Sequence, residues 1–238
     1  MYKRQPYFRA SNISEENEER ISEVQDLGQG RMLTPELLDQ KIFAVSGRYW
    51  VSNNNTRFLL SDNEYRILYG GIDADDVIKR ITDPNGIMAG IQFRMANEIA
   101  CSTTALDFTS PSEKRRYFPH VEPEFVPQDA NGFAIAESEA AIKKNIQHLH
   151  WHILGERLDA DDAEITRSYD LFVATWQEGL AKMGNDVQAN LGDCRADTGI
   201  DGEELPEDQR VTQDELYTVR AWMAVVTYLL SDYRFLYE

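Results

Sequence analysis

No stretch of about 18 consecutive apolar residues occurs in the sequence, so nothing in it reads as a membrane-spanning helix. The longest apolar segment, AWMAVVTYLL, runs for only ten residues and reads as a buried helix. Positive charge is scarce: 24 Lys and Arg stand against 41 Asp and Glu, for a net charge of −17. That imbalance repels phosphate backbones and anionic lipid, so nucleic-acid binding is not expected. A basic protein partner or a cation fits better. Cysteine is almost absent. Cys101 and Cys194 are the only two, and they are too far apart for CxxC redox chemistry or haem attachment. In a reducing compartment they read as buried thiols, and in an oxidising one they can pair. The first twenty residues lack an apolar h-region, so they do not read as a signal peptide. No Gly-rich phosphate loop and no βαβ alternation is visible, which argues against a nucleotide-binding α/β fold. No GxSxG elbow appears either.

What remains is mostly helical. Apolar residues make up 42% of the chain, enough for a substantial core. Residues 1–30 are polar and read as a mobile or extended lead-in to a single domain over 31–238. In LTPELLDQKIFAVSG, Thr34 can cap a helix, Pro35 suits its first position, and Gly47 follows its end. Its apolar face is Leu38, Ile42 and Val45. The Asn-rich stretch between Tyr49 and Leu60 leaves room for a short β-hairpin. DNEYRILYGG and DADDVIKRI have helical spacing. A long helix is expected from Ile87, with Met88, Ile91, Met95, Ile99 and Ser102 on one face. Residues 109–132 hold four prolines and suggest a hinge loop. Two helices follow, then an acidic loop at 184–212, then a strongly apolar helix running almost to the C-terminus. The expected fold is therefore mainly α, a single-domain helical array with long acidic and Pro-rich loops.

The segment NIQHLHWHILGERL holds three of the four histidines, His148, His150 and His152, at alternate positions. On a strand they would share a face, as a metal site requires. On a helical wheel, however, Ile142, Ile146, Leu149 and Ile153 fall within roughly 60° of one another. A continuous helix over 142–154 is expected, with that stripe buried. His148 and His152 then share one flank and His150 lies opposite. Trp151 lies opposite the stripe, which suggests that both faces of the helix are covered. The i,i+4 pair His148/His152 can still share a zinc ion if a third ligand, such as His120 or an acidic residue, joins it. Asp193, Asp197 and Asp201 of the acidic loop could hold calcium, although their spacing does not fit an EF-hand. Ordinary packing and a solvated loop account for these residues more simply. The aromatics Trp222, Tyr228, Tyr233, Phe235 and Tyr237 read as core and interface, or as the lining of a small-ligand pocket.

The stretches LYGGIDADDV, RMANEIAC, LHWHILGERL and WMAVVTYLLSDYRFLYE carry a resemblance. Over about residues 31–238 the chain resembles the C-terminal region of large secreted proteins of planctomycetes and related bacteria, which often have a cytochrome c-like module upstream. The resemblance implies export to the periplasm or beyond, a redox neighbourhood, and a c-type cytochrome or other basic protein as partner. It further implies a Cys101–Cys194 disulfide. It brings no catalytic residue and no cofactor of the chain's own. The expected role is a non-catalytic accessory or interaction module. The alternative is a metal-dependent enzyme or metal-binding protein that uses His148, His152 and the acidic loop.

Overall fold

The computed structural model describes residues 32–61, 64–72, 79–81, 83–199 and 201–237. The expected lead-in at 1–30 and the core of the expected helix at 73–78 lie outside them. Among the described residues five α-helices carry the architecture, and strand pairing is limited to isolated bridges, with no sheet or barrel. The chain is mainly helical, as its periodicity predicts.

Helix α1 (Pro35–Ser46) starts where its capping chemistry places it. The Thr34 hydroxyl accepts the Leu37 amide at 3.1 Å. Gly47 stops the helix at φ +76°, a left-handed conformation that costs glycine nothing and lets its N–H reach the Phe43 carbonyl. Leu38, Ile42 and Val45 are buried. The expected hairpin is shorter than its sequence suggests. One bridge, Val51 to Arg57, closes a reversal through Asn55, and the chain then enters a 3₁₀ turn at Phe58–Leu60. Residues 64–70 are a correction: they form turns, not a helix. Their amides reach back by uneven steps, Tyr69 to Tyr65, Gly70 to Ile67 and Gly71 to Arg66, so no regular ladder forms. The Tyr65 ring stacks on Trp50 instead, with centroids 5.1 Å apart.

Helix α2 (Gly86–Phe108) is the longest, at about 34 Å. Asn85 caps it by accepting the Ile87 and Met88 amides. Its buried face runs Met88, Ile91, Met95, Ile99 and then Thr103; Ser102 is exposed. Helix α3 (Ala136–Leu149) continues into a single π turn, His150–Leu154, ended by Gly155 at φ +75°. The chain is thus helical throughout 142–154, and Ile142, Ile146, Leu149 and Ile153 are all buried. Trp151 is 48% exposed, with the Arg157 guanidinium over its ring, so among the described residues the outer face of this helix is not covered as expected. Helix α4 (Ala163–Lys182) is capped by Asp162 and buries Ile165, Ser168, Phe172 and Trp176 at helical spacing. Helix α5 (Thr218–Leu230) is the apolar C-terminal helix. It begins later and ends earlier than its composition suggests, and Tyr233, expected in the core, is 42% exposed after the chain leaves the helix.

Helix α5 packs between α2 and α4, and α3 packs against α4. The Gln92 side chain donates to the Leu230 and Asp232 carbonyls, which sets the start of α2 beside the end of α5, antiparallel. The Pro-rich segment 109–132 adds Tyr117, Phe118 and Val121 to the same core. It is held by a buried carboxylate: Asp107 accepts the backbone amides of Arg116, Tyr117 and Phe118 at 2.8–3.0 Å. Asn145 of α3 accepts the His120 amide and donates to the Tyr117 carbonyl. Cys101 of α2 and Cys194 form a disulfide, with Cα atoms 4.6 Å apart.

Candidate functional site

Each polar cluster is built by a different part of the fold. The histidine pair comes together as expected. The His148 and His152 rings stack at 5.6 Å, one helical turn apart, and His120 approaches His148 at 5.9 Å from the Pro-rich segment. Their outer nitrogens are already in use. His148 Nε2–H donates to the Arg116 carbonyl and His152 Nε2–H to the Val45 carbonyl, both at 2.7 Å. The two rings thereby tie α3 to the Pro-rich segment and to the end of α1. Among the described residues no three His, Cys, Asp or Glu side chains are grouped to hold a metal ion. The acidic loop does not gather its carboxylates either. Asp197 pairs with Arg195, Asp201 accepts the Glu203 amide within its own turn, and Asp193 is exposed.

The environment of the histidines sets a pH dependence. Burial pushes His152 below the ordinary histidine range, with His148 and Arg116 adding to the effect while the Val45 carbonyl and Asp107 oppose it. Burial, Lys144 and His148 do the same to His120. The unfolded chain therefore takes up protons on these rings at higher pH than the folded protein does. Their contribution to stability is complete above about pH 6.5 and is lost as pH falls through that value towards the depressed folded pKa values. Asp107, whose pKa burial raises, works in the opposite sense in the carboxylate range below. Urea midpoints are expected to drop between about pH 7.5 and 5, and His152→Gln, which can still donate to Val45, should flatten that drop. An identical pH slope in the variant would refute this assignment.

The third histidine, set aside on the wheel, has the most elaborate surroundings. His150 is fully buried. Its Nδ1 lies 3.0 Å from Glu156 Oε2 and its Nε2 3.0 Å from Ser168 Oγ. Glu156 also pairs with Arg234, which in turn pairs with Asp232. With Nδ1–H donating to Glu156 and Nε2 accepting from Ser168, this has the connectivity of a Ser–His–Glu hydrolase triad. A nucleophile must reach its substrate, however, and the Ser168 and His150 side chains are sealed in the core. The chain of contacts is structural: it joins the π turn to α4 and to the C-terminal turn. Sequence reasoning missed it because Ser168 and Glu156 meet His150 only through the fold. Two buried carboxylates were hidden the same way. Asp39 pairs with Arg57, and Asp214 caps α5 by accepting the Val219 and Arg220 amides. Burial raises the pKa of Asp214 despite those bonds.

The concave surface lies elsewhere. An open groove of about 640 Å³ runs between α2 and α5. Phe93, Asn97 and Cys101 line it from α2, Met223 and Tyr228 from α5, and Leu171 from α4. Cys194 brings the acidic loop to its edge. The lining is predominantly apolar, and Phe93 is 58% exposed. Among the described residues no titratable pair converges in its lining. Tyr233, Phe235 and Tyr237 do not line it. Comparison with protein-family models, with curated proteins and with solved structures finds no match for the chain.

Proposed function

We propose that this chain is a non-catalytic protein-interaction module that docks a basic partner in the groove between α2 and α5, in an exported, redox-associated setting. The observation that carries the reading is the groove itself: an apolar floor with the acidic loop tethered at its rim by Cys194. Residues 193–208 hold seven carboxylates against a single arginine, Arg195. An apolar centre edged by charge of one sign suits a partner that presents an apolar side chain within a basic surface. The net charge of −17 would steer such a partner over longer range. A basic c-type cytochrome has that surface chemistry. A disulfide between half-buried cysteines fits an oxidising compartment.

Calorimetric titration with a basic c-type cytochrome tests this. Saturable binding is expected at low ionic strength, weakening as salt is added. Phe93→Glu, at an exposed position, should weaken it by at least about tenfold, the loss of roughly 1.4 kcal/mol of contact. No saturable binding at low salt, or binding indifferent to both salt and Phe93, would overturn the reading.

A further inference from the structure

Residues 190–199 and 201–213 form a nearly self-contained excursion. Their backbone bonds run among themselves: Leu191 N–H to the Thr212 carbonyl, Ala196 and Val211 exchanging both bonds, Leu205 N–H to the Asp197 carbonyl. Isolated bridges pair Asn190 with Gln213, Ala196 with Val211 and Thr198 with Glu204. At the base, Arg220 of α5 holds the Gln188 and Asn190 carbonyls. The Arg195–Asp197 and Arg210–Glu204 ion pairs also stay inside the segment. Among the described residues, no hydrogen bond or ion pair joins 191–212 to α2. Leu191 and Ala196 supply buried apolar contact, and the Cys101–Cys194 bond supplies the tie to α2.

We propose that this segment is a flap, hinged at 188–190 and 213–214 and latched to α2 by the Cys101–Cys194 disulfide, which a dithiol reductant can open. Both cysteines line the open groove and are half-buried, so a reductant can approach from that side. One thiolate of the dithiol attacks a cystine sulfur and breaks the S–S bond, forming a mixed disulfide. Its second thiol then displaces the remaining cysteine. Two electrons and two protons end on Cys101 and Cys194 as thiols, and the reductant leaves as its own disulfide. Seven carboxylates against Arg195 and Arg210 make the flap acidic, and the rest of the chain is acidic too, so charge favours separation once the latch opens. Loss of the flap removes the groove wall that Cys194 contributes. That consequence rests on the docking reading above, whereas the latch itself does not.

Hydrogen exchange on the whole chain, oxidised and after dithiothreitol, tests the latch. Amides of 191–211 are expected to exchange at least about tenfold faster in the reduced protein, while α2 and α5 keep their protection over the same interval. The Cys101→Ser/Cys194→Ser double variant should match the reduced state without any reductant present. Unchanged protection in the flap would overturn the proposal. So would a joint loss of protection in flap and helices, since the bond would then be a staple of the whole domain. The measurement needs no partner, so its failure leaves cytochrome docking standing, and a failed cytochrome titration leaves the latch standing.

Discussion

Replacing Trp222 by alanine is expected to lower the unfolding free energy by about 3–5 kcal/mol. Trp222 lies midway along α5, and none of its surface is exposed. Its ring sits between Phe172 of α4, with centroids 4.6 Å apart, and Phe118 of the Pro-rich segment, at 5.2 Å. Three parts of the chain distant in sequence therefore meet on one side chain. Truncation to a methyl group leaves a cavity that three separately anchored elements cannot close by shifting together, which places the cost in the upper range for large-to-small changes. The indole N–H has no acceptor among the described residues, so the ring acts through packing alone. Trp222→Phe, which keeps a ring, should therefore restore roughly half of the loss or more. Urea denaturation of the two variants measures both effects. A loss under about 1 kcal/mol for Trp222→Ala would mean that α5 does not pack as described.

The parts of this fold that could be read in advance are those fixed by neighbours in sequence. Thr34, Pro35 and Gly47 delimit α1 because capping acts within one turn of chain. The stripe Ile142, Ile146, Leu149 and Ile153 is local for the same reason. Residues 64–70 form turns despite their helical spacing: a helix that short is marginal without tertiary support, and here the tertiary contact is the stacking of Tyr65 on Trp50. The buried carboxylates were illegible for a compositional reason. Among 41 acidic residues, nothing local distinguishes Asp107, Asp39 or Asp214 from those that remain in solvent. Only the amides gathered around Asp107 and Asp214, and the guanidinium of Arg57 on Asp39, do so. His150 shows the limit most clearly. The wheel set it opposite His148 and His152, and the π turn and α4 enclose it. The groove was less legible still, since Phe93, Leu171 and Met223 become one surface only when α2, α4 and α5 pack.

Abolishing the disulfide should be the second large effect, and its size is informative. Cys101 and Cys194 are 93 residues apart. Closing a loop of that length removes unfolded-chain entropy worth about 4–5 kcal/mol in the chain-entropy model. A bond that only constrained the unfolded chain, leaving the native state as it is, would cost that full amount when removed. The latch implies less. If the flap separates from α2 in the reduced native protein, residues 191–211 regain conformational freedom on the folded side as well. Part of the entropy released in the unfolded chain is then matched in the folded one. The expected loss in urea denaturation of the Cys101→Ser/Cys194→Ser variant is accordingly about 2–4 kcal/mol. The denaturant slope should change as well, because a native state with a released flap has less surface left to expose on unfolding. A loss at the full chain-entropy value with a slope that does not fall would mean that the flap stays seated without its bond. A smaller loss with a reduced slope would place the flap's release in the native state, where it can control access to the groove.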